Sequence, residues 1–132
     1  MAIRPQGDWF MTGDDPVLAA RDTQVFCFAH AGGDPVSYLR WQRHLADSMQ
    51  LLAVIPPGRG HRTQQQAIGD IERLADGAAA AIERVAGRRT ILFGHSLGAL
   101  VAFEVARRLR GNLNVTDLIL SLIHISEPTR PY

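Results

Sequence analysis

Three short runs of uninterrupted apolar residues constrain this chain more than any other feature. They are Val25-Phe26-Cys27-Phe28-Ala29, Leu51-Leu52-Ala53-Val54-Ile55 and Ile91-Leu92-Phe93. A strand apolar on both faces belongs inside a parallel sheet that helices cover on each side. The segments between the runs have helical spacing. Tyr38, Trp41 and Leu45 recur at intervals of 3–4 residues before the second run. Ile71, Leu74, Ala75, Ala78, Ile82 and Val85 form one face before the third, with Gly87 placed to end that helix. Leu97, Leu100, Val101, Val105 and Leu109 line a further helix, and Gly111 supplies its stop. The order β-α-β-α-β-α predicts an α/β fold, with a mostly parallel sheet, helices on both faces and right-handed crossovers. Residues 1–22 mix Pro5, Gly7, Gly13 and Pro16 with charges, and read as an irregular lead-in with Trp9-Phe10 as an edge anchor.

The third run leads straight into Gly94-His95-Ser96-Leu97-Gly98, and a helix follows. That is the strand–turn–helix setting of a G-x-S-x-G nucleophile elbow. Ser96 is the candidate nucleophile, and Gly94 and Gly98 let the backbone bend and let helix and strand approach closely. An acyl-transfer serine also needs two backbone N–H groups aimed at the oxyanion of its tetrahedral intermediate. The amide of Leu97 is one. The first run ends in His30-Ala31-Gly32-Gly33, where a loop of the HGGG type would place the amide of Ala31 as the second, with Gly32 and Gly33 admitting a substrate. A plain glycine turn into a helix is the alternative. A third cluster, Pro56-Pro57-Gly58-Arg59-Gly60-His61-Arg62, follows the second run, at the sheet edge whose loops face the site in open parallel sheets. Ordinary loop chemistry is the favoured reading of it from the residues alone.

Composition removes several other classes. A chain of 132 residues is one domain or a piece of one, and 46% hydrophobic with 20% charged residues reads as soluble and globular. A net charge of +1, with the 14 basic residues not gathered in one run, predicts no attraction to nucleic acid. Arg107-Arg108 and Arg110 fall in the last turn of a predicted helix, where cations complement its dipole. The single cysteine, Cys27, lies inside an apolar run and reads as a small core residue. No stretch is long enough to cross a bilayer and no signal peptide is evident, so the expected location is cytoplasmic. No residues have metal-ligand spacing and no dinucleotide fingerprint occurs, so neither metal nor cofactor is expected.

Phe28-Ala29-His30-Ala31-Gly32-Gly33, Pro57-Gly58-Arg59-Gly60 and Gly94-His95-Ser96-Leu97-Gly98-Ala99 together resemble the type II thioesterases. These are stand-alone α/β-hydrolases serving nonribosomal peptide and polyketide synthetases. The resemblance covers about residues 9–119, and Trp41, Leu45 and Phe103-Glu104 also look like the family. It implies hydrolysis of acyl or peptidyl thioesters on the phosphopantetheine arm of a carrier protein, by a serine acyl-enzyme route with no metal or cofactor. It also implies that His95 packs under the elbow and is no triad base, and that the full-length protein is a monomer. The alternatives are a generic α/β-hydrolase esterase or lipase, the thioesterase domain ending a synthetase, and a non-catalytic fragment on a hydrolase scaffold.

A serine needs a histidine base oriented by a carboxylate, and in this fold the chain order is Ser, Asp or Glu, then His. Ser96, Asp117 and His124 satisfy that order formally, but seven residues of strand would hold Asp117 and His124 apart by over about 20 Å. His30, His44 and His61 precede the serine. The resemblance places the true partners further downstream than this sequence reaches. Leu120-Ser121-Leu122-Ile123-His124-Ile125-Ser126-Glu127-Pro128-Thr129-Arg130 resembles a translated sequencing adaptor, so residues 1–119 are expected to be the N-terminal portion of the domain and 120–132 a non-native tail. The 132-residue chain is therefore expected to be marginally stable and inactive, with an unpaired sheet edge after the serine strand.

Overall fold

The computed structural model describes residues 3–13, 22–29, 34–58, 70–85, 89–112 and 114–121. Six strands, β1 (Ile3–Gln6), β2 (Phe10–Gly13), β3 (Thr23–Phe28), β4 (Met49–Val54), β5 (Arg89–His95) and β6 (Val115–Ser121), form one sheet in the order β1-β2-β4-β3-β5-β6. The three apolar runs are the three central strands. β3 is parallel to both β4 and β5, and β5 is parallel to β6. Helices α1 (Ile71–Val85) and α2 (Leu97–Arg108) cover one face. Under them lie Phe26, Phe28, Leu52, Val54 and Leu92. The alternate residues Val25, Cys27, Leu51, Ala53 and Ile91 face the other way and meet Tyr38 and Leu39. Two cores, one on each side of the sheet, are why these strands could not alternate apolar with polar residues.

The N-terminal segment differs from its sequence reading. It is a β-hairpin, with Gly7 at φ +71° in the turn, and β2 pairs antiparallel with β4. Phe10 is buried with its ring 5.1 Å from that of Phe26. The indole of Trp9 lies where a Cβ on Gly77 of α1 would be. One polar residue, Thr12, disguised this strand. The hydroxyl of buried Thr12 donates to the carbonyl of Leu51 and accepts from the Gln50 amide, so a polar position is satisfied inside the sheet.

The segment after β3 is a 3-10 helix, Pro35–His44, capped by Asp34, whose carboxylate accepts from the amide of Val36 at 3.0 Å. Three residues per turn align Tyr38 with Trp41, and their rings stand edge to face 5.0 Å apart. Phe93 of β5 completes the cluster, 5.6 Å from Trp41. On α2 the buried face is Gly98, Ala99, Val101, Ala102 and Val105, whereas Leu97 and Leu100 are exposed, contrary to the face expected from spacing. The small residues bring the helix axis too close to the sheet for a leucine to fit beneath it. Arg108 does more than complement a helix dipole: it bonds Glu104 in its own helix and Glu72 and Asp76 on α1, clamping the two helices together.

Candidate active site

The site begins where β5 ends. Register sets Gly94 beside Phe28 of β3 and Leu120 of β6, so three parallel strands finish at one level. Between His95 and Leu97 the chain reverses from strand to helix in a single residue. Ser96 takes φ 59° and ψ −122°, and it is the one non-glycine residue at positive φ among the described residues. Such a backbone costs about 1–3 kcal/mol and persists only when its surroundings over-determine it. Those surroundings are specific. A Cβ on Gly94 would strike the Gly98 carbonyl oxygen and the Ala99 Cα, and a Cβ on Gly98 would strike the carbonyl oxygens of Phe28 and Ala29. Backbone packs on backbone at both positions, which only glycine permits.

Two hydrogen bonds fix the turn further. The amide of Ser96 donates to the Ser121 carbonyl at 2.8 Å, and the carbonyl of Ser96 accepts from the amide of Ala99 at 2.9 Å. Although Ser96, a partly buried residue, occupies the N-cap of α2, its side chain makes no capping bond, so the hydroxyl is not spent on the helix. Leu97 opens α2, where first-turn amides have no intrahelical acceptor and the dipole favours developing negative charge. His95 points to the opposite face of the strand from Gly94, and its Nδ1 lies 3.0 Å from the Ser121 hydroxyl.

The second oxyanion loop, with His30, Ala31, Gly32 and Gly33, lies outside the described residues. Its point of departure does not: Phe28 and Ala29 lead to it, and their carbonyls lie against Gly98. Arg59, Gly60, His61 and Arg62 also lie outside, as does His124. Asp117 stands opposite Ile91, four residues before His95 and on the order of 13 Å down the strand. There it pairs with Arg89 at 2.7 Å, away from the elbow. His44 closes the 3-10 helix with its ring against the Arg43 guanidinium, at the other end of the sheet. Cys27 is buried in the sheet, and desolvation pushes its thiol up to about 12, which makes it a core residue and no nucleophile. Among the described residues no group of three or more His, Cys, Asp or Glu could hold a metal ion. No described helix is long and apolar enough to cross a membrane.

A parallel core with a serine elbow between its strand and helix defines an α/β-hydrolase-type scaffold. Within that class the comparison with known proteins is direct: the family described as Thioesterase domain matches residues 23–131, and the chain belongs to it. The gramicidin S biosynthesis protein GrsT of Aneurinibacillus migulanus is 27% identical over 112 residues, covering 85% of this chain and 43% of that protein. Thioesterase PikA5 of Streptomyces venezuelae is 40% identical over 85 residues, covering 64% of this chain and 30% of its own length. The structure of BorB, a type II thioesterase from the borrelidin biosynthetic cluster, superposes with a TM-score of 0.75 at 31% identity, over 88% of this chain and 50% of BorB. RedJ, a thioesterase of the prodiginine pathway of Streptomyces coelicolor, gives 0.71 at 35% identity, over 89% and 43%. The chain thus spans half or less of the length of these relatives.

Proposed function

We propose that this chain carries the nucleophile of a serine thioesterase that hydrolyses acyl or peptidyl thioesters on the phosphopantetheine arms of carrier proteins, clearing nonribosomal peptide and polyketide synthetases. The observation that carries the reading is the Ser96 backbone, held at positive φ by Gly94 and Gly98 in a chain of the thioesterase family. Ser96 Oγ attacks the thioester carbonyl. The amides of Leu97 and Ala31 receive the oxyanion, and collapse of the intermediate expels the carrier thiolate. Water then hydrolyses the acyl-enzyme. A thiolate leaves readily, so stabilising the oxyanion matters more here than protonating the leaving group. The histidine base and its carboxylate come from sequence that the relatives have and that this chain does not span. The carrier protein is the partner, and the cytoplasm is the compartment.

The test uses the longest protein its gene encodes, with an acyl-phosphopantetheinyl carrier protein as substrate and release of the carrier thiol as readout. Ser96→Ala removes the nucleophile and is expected to lower the rate by at least about 10³-fold. Equal turnover of simple oxygen esters and carrier thioesters would instead favour a generic esterase. Undiminished function in Ser96→Ala would mean a non-catalytic binding protein.

A further inference from the structure

Helix α2 joins the nucleophile turn with no loop between them. Ser96 is its N-cap, Leu97 its first residue and Arg108 its last. Any movement of the helix therefore passes directly into the Ser96 dihedrals and the direction of the Leu97 amide. Gly98 sets how close the helix comes to the end of β3 and, two residues from Ser96, limits tilt about that point. It carries no side chain that could oppose a roll of the helix about its axis or a slide along it. The rest of the buried face, Ala99, Val101, Ala102 and Val105, offers only short side chains to grip the sheet, while Leu97, Leu100 and Phe103 are exposed.

The firm grip is at the far end, about 18 Å along the axis from Ser96. An arginine has five N–H donors, and each of those on Arg108 has an acceptor. Nε donates to Asp76 Oδ1, Nη1 to the Glu104 carboxylate and main-chain carbonyl, and Nη2 to the Glu72 carboxylate and main-chain carbonyl. The Arg108 side chain is only 22% exposed. Its acceptors stand on α1 as well as on α2, so a roll or slide of α2 breaks bonds whose directions a planar fork fixes. On the reading of Ser96 as the nucleophile, we propose that Arg108 is its positioning residue. By locking α2 against α1, Arg108 sets the roll and axial position of the helix, and so the direction in which position 96 presents its side chain. Arg107 bonds Glu104 inside α2 and is expected to add nothing to this lock.

A thiol at position 96 gives the readout. In Ser96→Cys of the 132-residue chain, iodoacetamide alkylation followed against pH yields the labelling rate and the thiol pKa. Amides of the first helical turn hold that pKa down only while they point at the sulfur. Adding Arg108→Met is expected to raise it by about 0.5 or more and to slow labelling near pH 7 about threefold. Glu72→Ala with Asp76→Ala removes the same lock from the α1 side, leaves the sequence of α2 unaltered, and should do the same. Arg107→Met should leave both values unchanged. Cys27, buried in a central strand, separates positioning from loss of structure, and should stay unlabelled in every variant. Unchanged rate and pKa in both lock variants, an equal effect of Arg107→Met, or a change at position 96 that comes only with labelling of Cys27 would each overturn the proposal. A thiol at position 96 that is inert before any second substitution would instead strike the elbow, and the role of Arg108 with it.

Discussion

Gly98→Ala is the most incisive perturbation of the elbow, because it adds one methyl group where two backbone carbonyls already stand. The added Cβ would collide with the Phe28 and Ala29 oxygens. Neither can rotate aside as a side chain would, since both belong to the end of a central strand. Helix α2 has to move outward by about 1 Å to restore ordinary contact, and overpacking of this kind costs about 1–3 kcal/mol, here taken at its upper end. At roughly 4 °C per kcal/mol for a chain of this size, the melting temperature should fall by about 12 °C. The assay is thermal unfolding followed by circular dichroism, with Gly7→Ala as the comparison. Gly7 sits at φ +71° with nothing near its missing Cβ, so its substitution carries only the left-handed backbone cost of about 1–2 kcal/mol. On the mechanism proposed above, the same displacement would shift the Leu97 amide from the oxyanion in a longer, active protein and should cost about 10²-fold in turnover. A Gly98→Ala variant that melts within about 2 °C of its parent, or above Gly7→Ala, would refute the close approach of helix and strand.

Two other outcomes follow from the same geometry. Ser96→Gly relieves a strain of about 1–3 kcal/mol but loosens the unfolded chain, so a net gain of about 1 kcal/mol is expected in denaturant melts, together with loss of catalysis. Glu104 is held below its ordinary 4.5 chiefly by the hydrogen bond from Arg108. Its contribution is full above 4.5 and is lost as pH falls through the lower folded-state value, so stability should decline on acidification in that window and decline less steeply in Arg108→Met.

The parallel half of the sheet was legible because burial on both faces leaves a continuous apolar run, and no other element produces that pattern at such short length. The elbow was legible because its glycines are demanded by backbone contacts that no side chain can replace. Other features depended on tertiary context. The β2 strand places Thr12 in the core, where only the distant Gln50 and Leu51 make a hydroxyl acceptable. Nothing local marks that partnership; the turn at Gly7 was the available signal. The exposed stripe on α2 misled for a related reason. The spacing puts Leu97 and Leu100 with Val101, Val105 and Leu109, yet only the last three are buried, because the small residues Gly98, Ala99 and Ala102 decide how near the helix lies to the sheet. Arg108 was read as a dipole partner because its acidic partners on α1 lie more than thirty residues away. Asp117 illustrates the converse: chain order alone offered it to Ser96, and the register of β5 with β6 gives it to Arg89.

The parts that fix the Ser96 backbone all lie within this chain: Gly94, Gly98, the Phe28 and Ala29 carbonyls, and the Ser121 carbonyl. Positioning of the nucleophile is therefore separable from activation by a base, and the chain as it stands can report the first without the second. A thiol does not need the base that a serine hydroxyl needs. At the N-terminus of a helix it also titrates roughly one unit or more below the ordinary value of about 8.5, because the dipole stabilises its anion. In Ser96→Cys the introduced thiol should react readily with iodoacetamide near pH 7.5, whereas Cys27, buried and pushed up to about 12, should stay unmodified in the folded chain. Mass spectrometry of the native protein should then find one label, on the peptide containing position 96, and a second only after unfolding. Equal labelling of both thiols would mean that the sheet is open. An inert thiol at position 96 would mean that the side chain is not presented from the turn, and the elbow reading would fail even where the family assignment stands.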